Sequence, residues 1–148
     1  MTLHFLESSA LAKLFVLERG SKELIALVER LSQPEKLVST LSAVEVHSAI
    51  RRRERAGELA PADAAEALGI LSAELARMTE QPVNARVIET AKQMLDRLPL
   101  RALDAIQLAT CSVIRAVSGI TDIAFAASDE LLLQAAAAEG FQTLDPEA

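Results

Sequence analysis

The chain has 148 residues, 51% of them apolar, and a formal net charge of −6. One domain spanning 1–148, with a real core, is expected. The negative balance argues against a protein that coats nucleic acid by bulk charge, although local RNA binding through cations remains compatible with it. With no Trp, no Tyr and only 4 Phe, a platform for stacking single-stranded bases is not expected.

Cys111 is the only cysteine. No intrachain disulfide or cysteine-rich zinc site can form, and its small, apolar neighbours predict a buried free thiol. The N-terminus lacks a basic stretch followed by a long apolar run, so no signal peptide is expected. No apolar run approaches the roughly 20 residues of a membrane span. No membrane association and a cytoplasmic location are the expectations.

Short apolar runs alternate with longer helical stretches, the pattern of an α/β protein with a mainly parallel sheet. Leu3 to Leu6 reads as the first strand. Ser8 or Ser9 then caps a helix to about Leu17. Gly20 and Ser21 break that helix, and Ser21 caps a second one through Leu31. Lys36 to Ser39 reads as the second strand. A helix from Ser42 follows, ending near Ala56 with Gly57 as its stop. Pro61 suits the first turn of a helix to about Ala76. Met78 to Gln81 is a weak third strand. Asn84 caps a helix to about Leu98, closed by Pro99. Arg101 to Val117 is apolar on most sides and predicts a buried helix. Ile123 to Ala127 is the fourth strand. Asp129 opens a last helix to Glu139, and Phe141 to Leu144 forms a short fifth strand.

Four acids stand out against this frame. Glu7 follows the first strand, Glu45 falls in the first turn after the second strand, and Asp129 follows the fourth. All three lie at the carboxyl edge of a parallel sheet, where ligands bind. The helix carrying Asp104 must run antiparallel to the strand it feeds, so its start lies at the same edge. Two unit charges 4 Å apart repel by about 4 kcal/mol at an effective dielectric near 20. Such a cluster needs a cation, or some of its members must hold protons. All-oxygen ligands suit Mg²⁺ or Mn²⁺, and such an ion can bind phosphate oxygens and acidify water. Phosphodiester hydrolysis is the natural chemistry. Taken singly, each acid also has an ordinary role. Ser42 and Glu45 fit a capping box, Asp104 suits a helix dipole, Asp129 is a good N-cap, and Glu7 could lie plainly on the surface.

The segments that hold these acids resemble PIN-domain proteins, especially VapC-type toxins of toxin–antitoxin pairs. Phe5-Leu6-Glu7-Ser8-Ser9-Ala10-Leu11-Ala12-Lys13-Leu14 is similar to the opening strand and helix of that family. Thr40-Leu41-Ser42-Ala43-Val44-Glu45-Val46, followed by Ser48-Ala49-Ile50-Arg51-Arg52, resembles its second motif. Leu100-Arg101-Ala102-Leu103-Asp104-Ala105-Ile106-Gln107-Leu108-Ala109 is the most specific match. Ala127-Ser128-Asp129, with Leu131-Leu132 and Ala136 to Gly140, resembles the closing motif.

The resemblance implies a three-layer α/β/α sandwich with strand order 3-2-1-4-5. It implies a Mg²⁺- or Mn²⁺-dependent ribonuclease that leaves 5′-phosphate and 3′-hydroxyl ends. The metal ligands would be Glu7, Glu45, Asp104 and Asp129, with Ser9 supporting the first acid or its metal-bound water. It also implies a homodimer and a groove for an antitoxin peptide; the first two helices and the Ala-rich helix from Pro61 offer small-residue faces, whose ordinary use is core packing. An antitoxin Arg entering the acidic site would be an inhibitory contact. One position departs from the family, whose first acid is usually Asp. Glu7 keeps the charge but adds a methylene, which bears on octahedral Mg²⁺ geometry.

Lys13 and Arg101 lie near the acids by sequence and are candidates for steering the phosphate. Arg51, Arg52, Arg53 and Arg55 form the densest basic cluster. Because a helix from Ser42 to Arg53 rises about 18 Å, the cluster is expected to lie away from Glu45, as a solvated helix end or a peripheral RNA contact. A metal-free, two-histidine mechanism would need His4 and His47 at one site, and nothing pairs them. Two further readings stand beside the ribonuclease. One is a catalytically weak PIN domain serving as an RNA- or protein-binding module. The other is an aspartate-based phosphotransferase, which Glu7 fits poorly.

Overall fold

A computed structural model describes residues 1–148. Five parallel strands form one sheet: β1 (Leu3–Leu6), β2 (Lys36–Ser39), β3 (Thr79–Gln81), β4 (Ile123–Ala126) and β5 (Gln142–Leu144). Their order is β3-β2-β1-β4-β5, with β1 in parallel register between β2 and β4. Seven α-helices connect and cover them: α1 (Ser8–Leu11), α2 (Ser21–Glu29), α3 (Thr40–Arg55), α4 (Pro61–Leu75), α5 (Ala85–Leu95), α6 (Ala102–Ser118) and α7 (Glu130–Ala138).

Strand alternation splits the core into two layers. Leu3, Phe5, Leu37, Ile123 and Phe125 face α5, α6 and α7. Leu6, Val38 and Ala126 face the other way, onto apolar residues of α1 to α4. Burial of both faces explains why the central strands carry so few polar residues. Phe5 stacks on Phe125 with ring centroids 5.4 Å apart, and Phe141 closes the group 6.5 Å from Phe125. Cys111 is buried in this layer, and burial pushes its thiol pKa up.

The chain departs from the sequence expectations chiefly at helix starts. The first helix is one short turn, followed by a 3₁₀ turn over Ala12–Leu14, and does not reach Leu17. The chain bends there because the Ser21 hydroxyl accepts from Glu18 N and donates to Val16 O. Ser21 is therefore the first residue of α2, and Gly20 holds the cap position at φ +90°. A Cβ at Gly20 would also lie 2.9 Å from the Pro146 carbonyl oxygen, so glycine is required on two counts. Helix α3 begins at Thr40, capped by the Ser39 hydroxyl, which accepts from Leu41 N. Ser42 is thus not the cap, no capping box forms with Glu45, and Glu45 falls in the second turn. Asn84 and Asp129 cap α5 and α7 as expected, each accepting from a backbone N–H. None of the helices is long and apolar enough to cross a membrane.

Candidate active site

Strand order reverses beside β1, and the crevice at the carboxyl ends of β1 and β4 is the place where a doubly wound sheet binds ligands. A cleft of about 320 Å³ opens there, lined by all four acids: Glu7, Glu45, Asp104 and Asp129. Four segments far apart in sequence deliver them, namely the end of β1, α3, the first turn of α6, and the loop after β4.

Each acid is held differently. Glu7 is 6% exposed. Its Oε2 accepts from Ser9 N at 2.9 Å and also from the Ser9 hydroxyl. Ser9 Oγ in turn accepts from Ser128 N at 2.9 Å, tying the end of β1 to the end of β4. Ser9 is thus bonded to the acid that the resemblance sets beside it. Burial raises the Glu7 pKa to about 7, against the pull of the Ser9 bonds, with Glu45 and Asp104 adding repulsion. The Asp104 pKa is also raised, first by burial; Arg101 opposes this, and the charges of Asp129 and Glu45 reinforce it. These mutual effects are the electrostatic sign that the acids share one space. Asp129 Oδ1 accepts from Leu132 N at 2.9 Å, so it serves as helix cap and cleft wall together. Glu45 Oε1 accepts from Ser8 Oγ at 2.7 Å and from Gln107 Nε2 at 2.8 Å.

The donor set is wholly carboxylate oxygen, which suits a hard divalent cation. Glu45 and Asp129 each bond through one oxygen and leave the other free for the cleft. As the side chains stand, no three acids converge closely enough to grip an ion. The residues fit such an ion by chemistry and by their shared place at the cleft.

The basic residues divide. Arg101 lines the cleft, is 85% exposed, and sits 3.6 Å from Asp104 Oδ2. Lys13 is only 4% exposed, bound to Glu18 at 3.0 Å and Glu147 at 3.2 Å. It lines an adjoining recess of about 520 Å³ and is not free to meet a phosphate in this arrangement. Arg52 lines both hollows, contrary to the expectation that the basic cluster lies away from Glu45. That expectation measured the whole helix, whereas Arg52 is seven residues after Glu45. It lies two turns on, on the same face, and only about 10 Å along the axis. Arg51 and Arg53 are engaged with Glu54 and Glu18. His47 is exposed beside a different hollow, and His4 lies within β1, so no histidine pair forms.

Gln107, Ser8 and Ser42 also belong to the site, and sequence reading passed over them. Gln107 is one turn beyond Asp104, at i,i+3, and that spacing was the available signal.

A profile of the PIN domain matches residues 4–137. No curated protein sequence matches the chain. Among solved structures, the chain resembles VapC20 of Mycobacterium tuberculosis, a sarcin–ricin-loop-cleaving toxin, with a TM-score of 0.66 at 22% identity over 93% of this chain and 95% of that one. It resembles DNA-bound VapBC from Salmonella typhimurium with a TM-score of 0.64 at 10% identity, over 99% of both chains. FitAcB from Neisseria gonorrhoeae gives 0.63 at 14% identity, over 97% and 98%. At these identities the likeness is one of fold. The profile match runs from β1 into α7 and takes in all four acids, so the chain belongs to the PIN-domain family.

Proposed function

We propose that this PIN domain is a Mg²⁺- or Mn²⁺-dependent endoribonuclease and acts as the toxin of a toxin–antitoxin pair in the cytoplasm. The observation that carries the reading is the convergence of Glu7, Glu45, Asp104 and Asp129 on one cleft at the sheet's switch point. These four residues would hold the ion. A divalent ion bound there supplies Lewis acidity to a phosphodiester and lowers the pKa of water. Ser9 holds Glu7 by two hydrogen bonds, and Arg101 and Arg52, which line the same cleft, would bind phosphate oxygens. Lys13 would contribute only if Glu18 or Glu147 released it.

The toxin reading draws on the fold shared with VapC toxins and on a groove of about 200 Å³ between α2 and α4. Leu14, Ile25, Val28 and Ile70 line it together with Glu29 and Glu74, a surface suited to an antitoxin segment with an apolar face and a basic flank. A homodimer accompanies this reading.

The test is cleavage of structured RNA with and without Mg²⁺ or Mn²⁺, beside Asp104→Asn. Cleavage is expected to need the ion. In the variant it should fall by at least about 100-fold, beyond the 10–100-fold cost of losing an outer-shell partner. The melting temperature should hold, because a like charge has been removed from the cluster. An unchanged rate would refute the assignment.

A second reading, a catalytically weak domain that binds RNA or protein, is favoured by one observation. Glu7 is turned back onto Ser9 with its pKa raised to about 7, and within the shared cleft no three acids stand close enough together to grip an ion. RNA binding without Mn²⁺ binding or cleavage would select it.

A further inference from the structure

Gln107 is 1% exposed, yet it lies one helical turn from an acid of the cleft. Its Nε2 is 2.8 Å from Glu45 Oε1, 2.9 Å from Ser8 Oγ and 3.0 Å from Ser42 Oγ. Ser8 Oγ also donates to Glu45 Oε1 at 2.7 Å. One carboxylate oxygen thus receives two hydrogen bonds from within the protein, one from the start of α1 and one from α6. The Gln107 carbonyl oxygen, also buried, has no partner.

That orphan is informative. Turning the amide over would bring its oxygen to Ser42, whose hydroxyl can donate, and to Ser8, whose one proton is already given to Glu45. It would also set that oxygen against the Glu45 carboxylate, which can only accept when ionised. The carboxylate therefore decides which way the amide faces, and an unpaired buried carbonyl is the consequence. Such a carbonyl destabilises a fold, and an apolar side chain of the same shape would avoid it. Local rules broken without a structural gain occur at functional sites.

We infer that Gln107 is a positioning residue for Glu45, holding Oε1 inward so that Oε2 faces the cleft where a divalent ion would bind. The inference rests on the proposed metal site. Metal-ligating carboxylates are oriented by such outer partners, and losing one costs about 10–100-fold in metal affinity.

Mn²⁺ binding by titration calorimetry and thermal melting are measured on wild type, Gln107→Met, Ser42→Ala and Ser8→Ala. Gln107→Met keeps the length and removes every hydrogen bond. It should bind Mn²⁺ at least about tenfold more weakly, with a melting temperature equal to or above wild type. Ser42→Ala leaves the amide–Glu45 bond in place and should keep Mn²⁺ affinity within about twofold, well below that outer-shell range. Ser8→Ala removes the other bond to Oε1 and should weaken Mn²⁺ binding, which keeps the inference open to test if Gln107→Met does not fold. Unchanged affinity in Gln107→Met, or in Ser8→Ala where Gln107→Met does not fold, overturns the inference. So does an affinity loss in Gln107→Met and Ser42→Ala that follows a shared fall in melting temperature. If wild type binds no Mn²⁺, the metal site itself has failed and the inference goes with it; if wild type binds and Gln107→Met matches it, only the inference has failed.

Discussion

The apolar layer around Phe5 and Phe125 and the acidic cleft at the ends of β1 and β4 are neighbours in sequence, yet they obey opposite rules. In the layer, pattern, burial and packing agree: stacked rings, aliphatic neighbours and a buried free thiol. In the cleft, a buried carboxylate is driven toward its neutral form and a buried amide oxygen lacks a donor. The layer carries stability and the cleft spends some of it. That contrast is the expected mark of a site built for a charged guest.

The strongest way to break the comparison is to damage the layer and watch the cleft. Phe125→Ala should destabilise the protein by about 3–5 kcal/mol, roughly 10 °C in melting temperature for a domain of this size. Mn²⁺ affinity of the folded fraction should not change. A parallel loss of affinity would mean that the two regions are not separable.

A second test turns on pH. Glu7 has an ordinary value of 4.5 and is raised to about 7 in the fold. Below about 4.5 the group is protonated in both states and contributes no difference. Between 4.5 and 7 the unfolded chain ionises while the native one keeps its proton, so stability falls as pH rises, then levels off above about 7. The expected fall is about 3 kcal/mol. Glu7→Gln keeps an acceptor for Ser9 N but cannot ionise. Denaturant melts across this range should show wild type losing stability relative to Glu7→Gln by that amount. Parallel curves would contradict the burial argument.

The smallest effect sharpens the account of the first acid. Glu7→Asp restores the shorter carboxylate that the family usually carries there. Cleavage should rise by about threefold, under 1 kcal/mol of barrier. A slower variant would show that the reach of Glu7 is used.

Much of this architecture was legible in the sequence. Parallel strands buried on both faces read as short apolar runs, and the alternation with helices implied the sheet. The four acids could be placed together because topology alone brings strand ends and helix starts to one edge. Helix starts were harder to read. Ser39, Ser42, Gly20 and Ser21 all suit a cap, and tertiary contacts chose among them: the Ser42 hydroxyl is recruited by Gln107, and the chain at Gly20 passes Pro146 too closely for a Cβ. Lys13 looked available because its partners, Glu18 and Glu147, converge on it only in the fold. Gln107 stood within the most specific motif match without a role of its own, because its partners Ser8 and Glu45 arrive from other segments.

The most direct test of the whole account is a crystal grown with Mn²⁺ and measured at the manganese absorption edge. An anomalous peak bounded by oxygens of Glu7, Glu45, Asp104 and Asp129 is the predicted result. Full Mn²⁺ occupancy elsewhere on the protein, with the four carboxylates still apart, would contradict it.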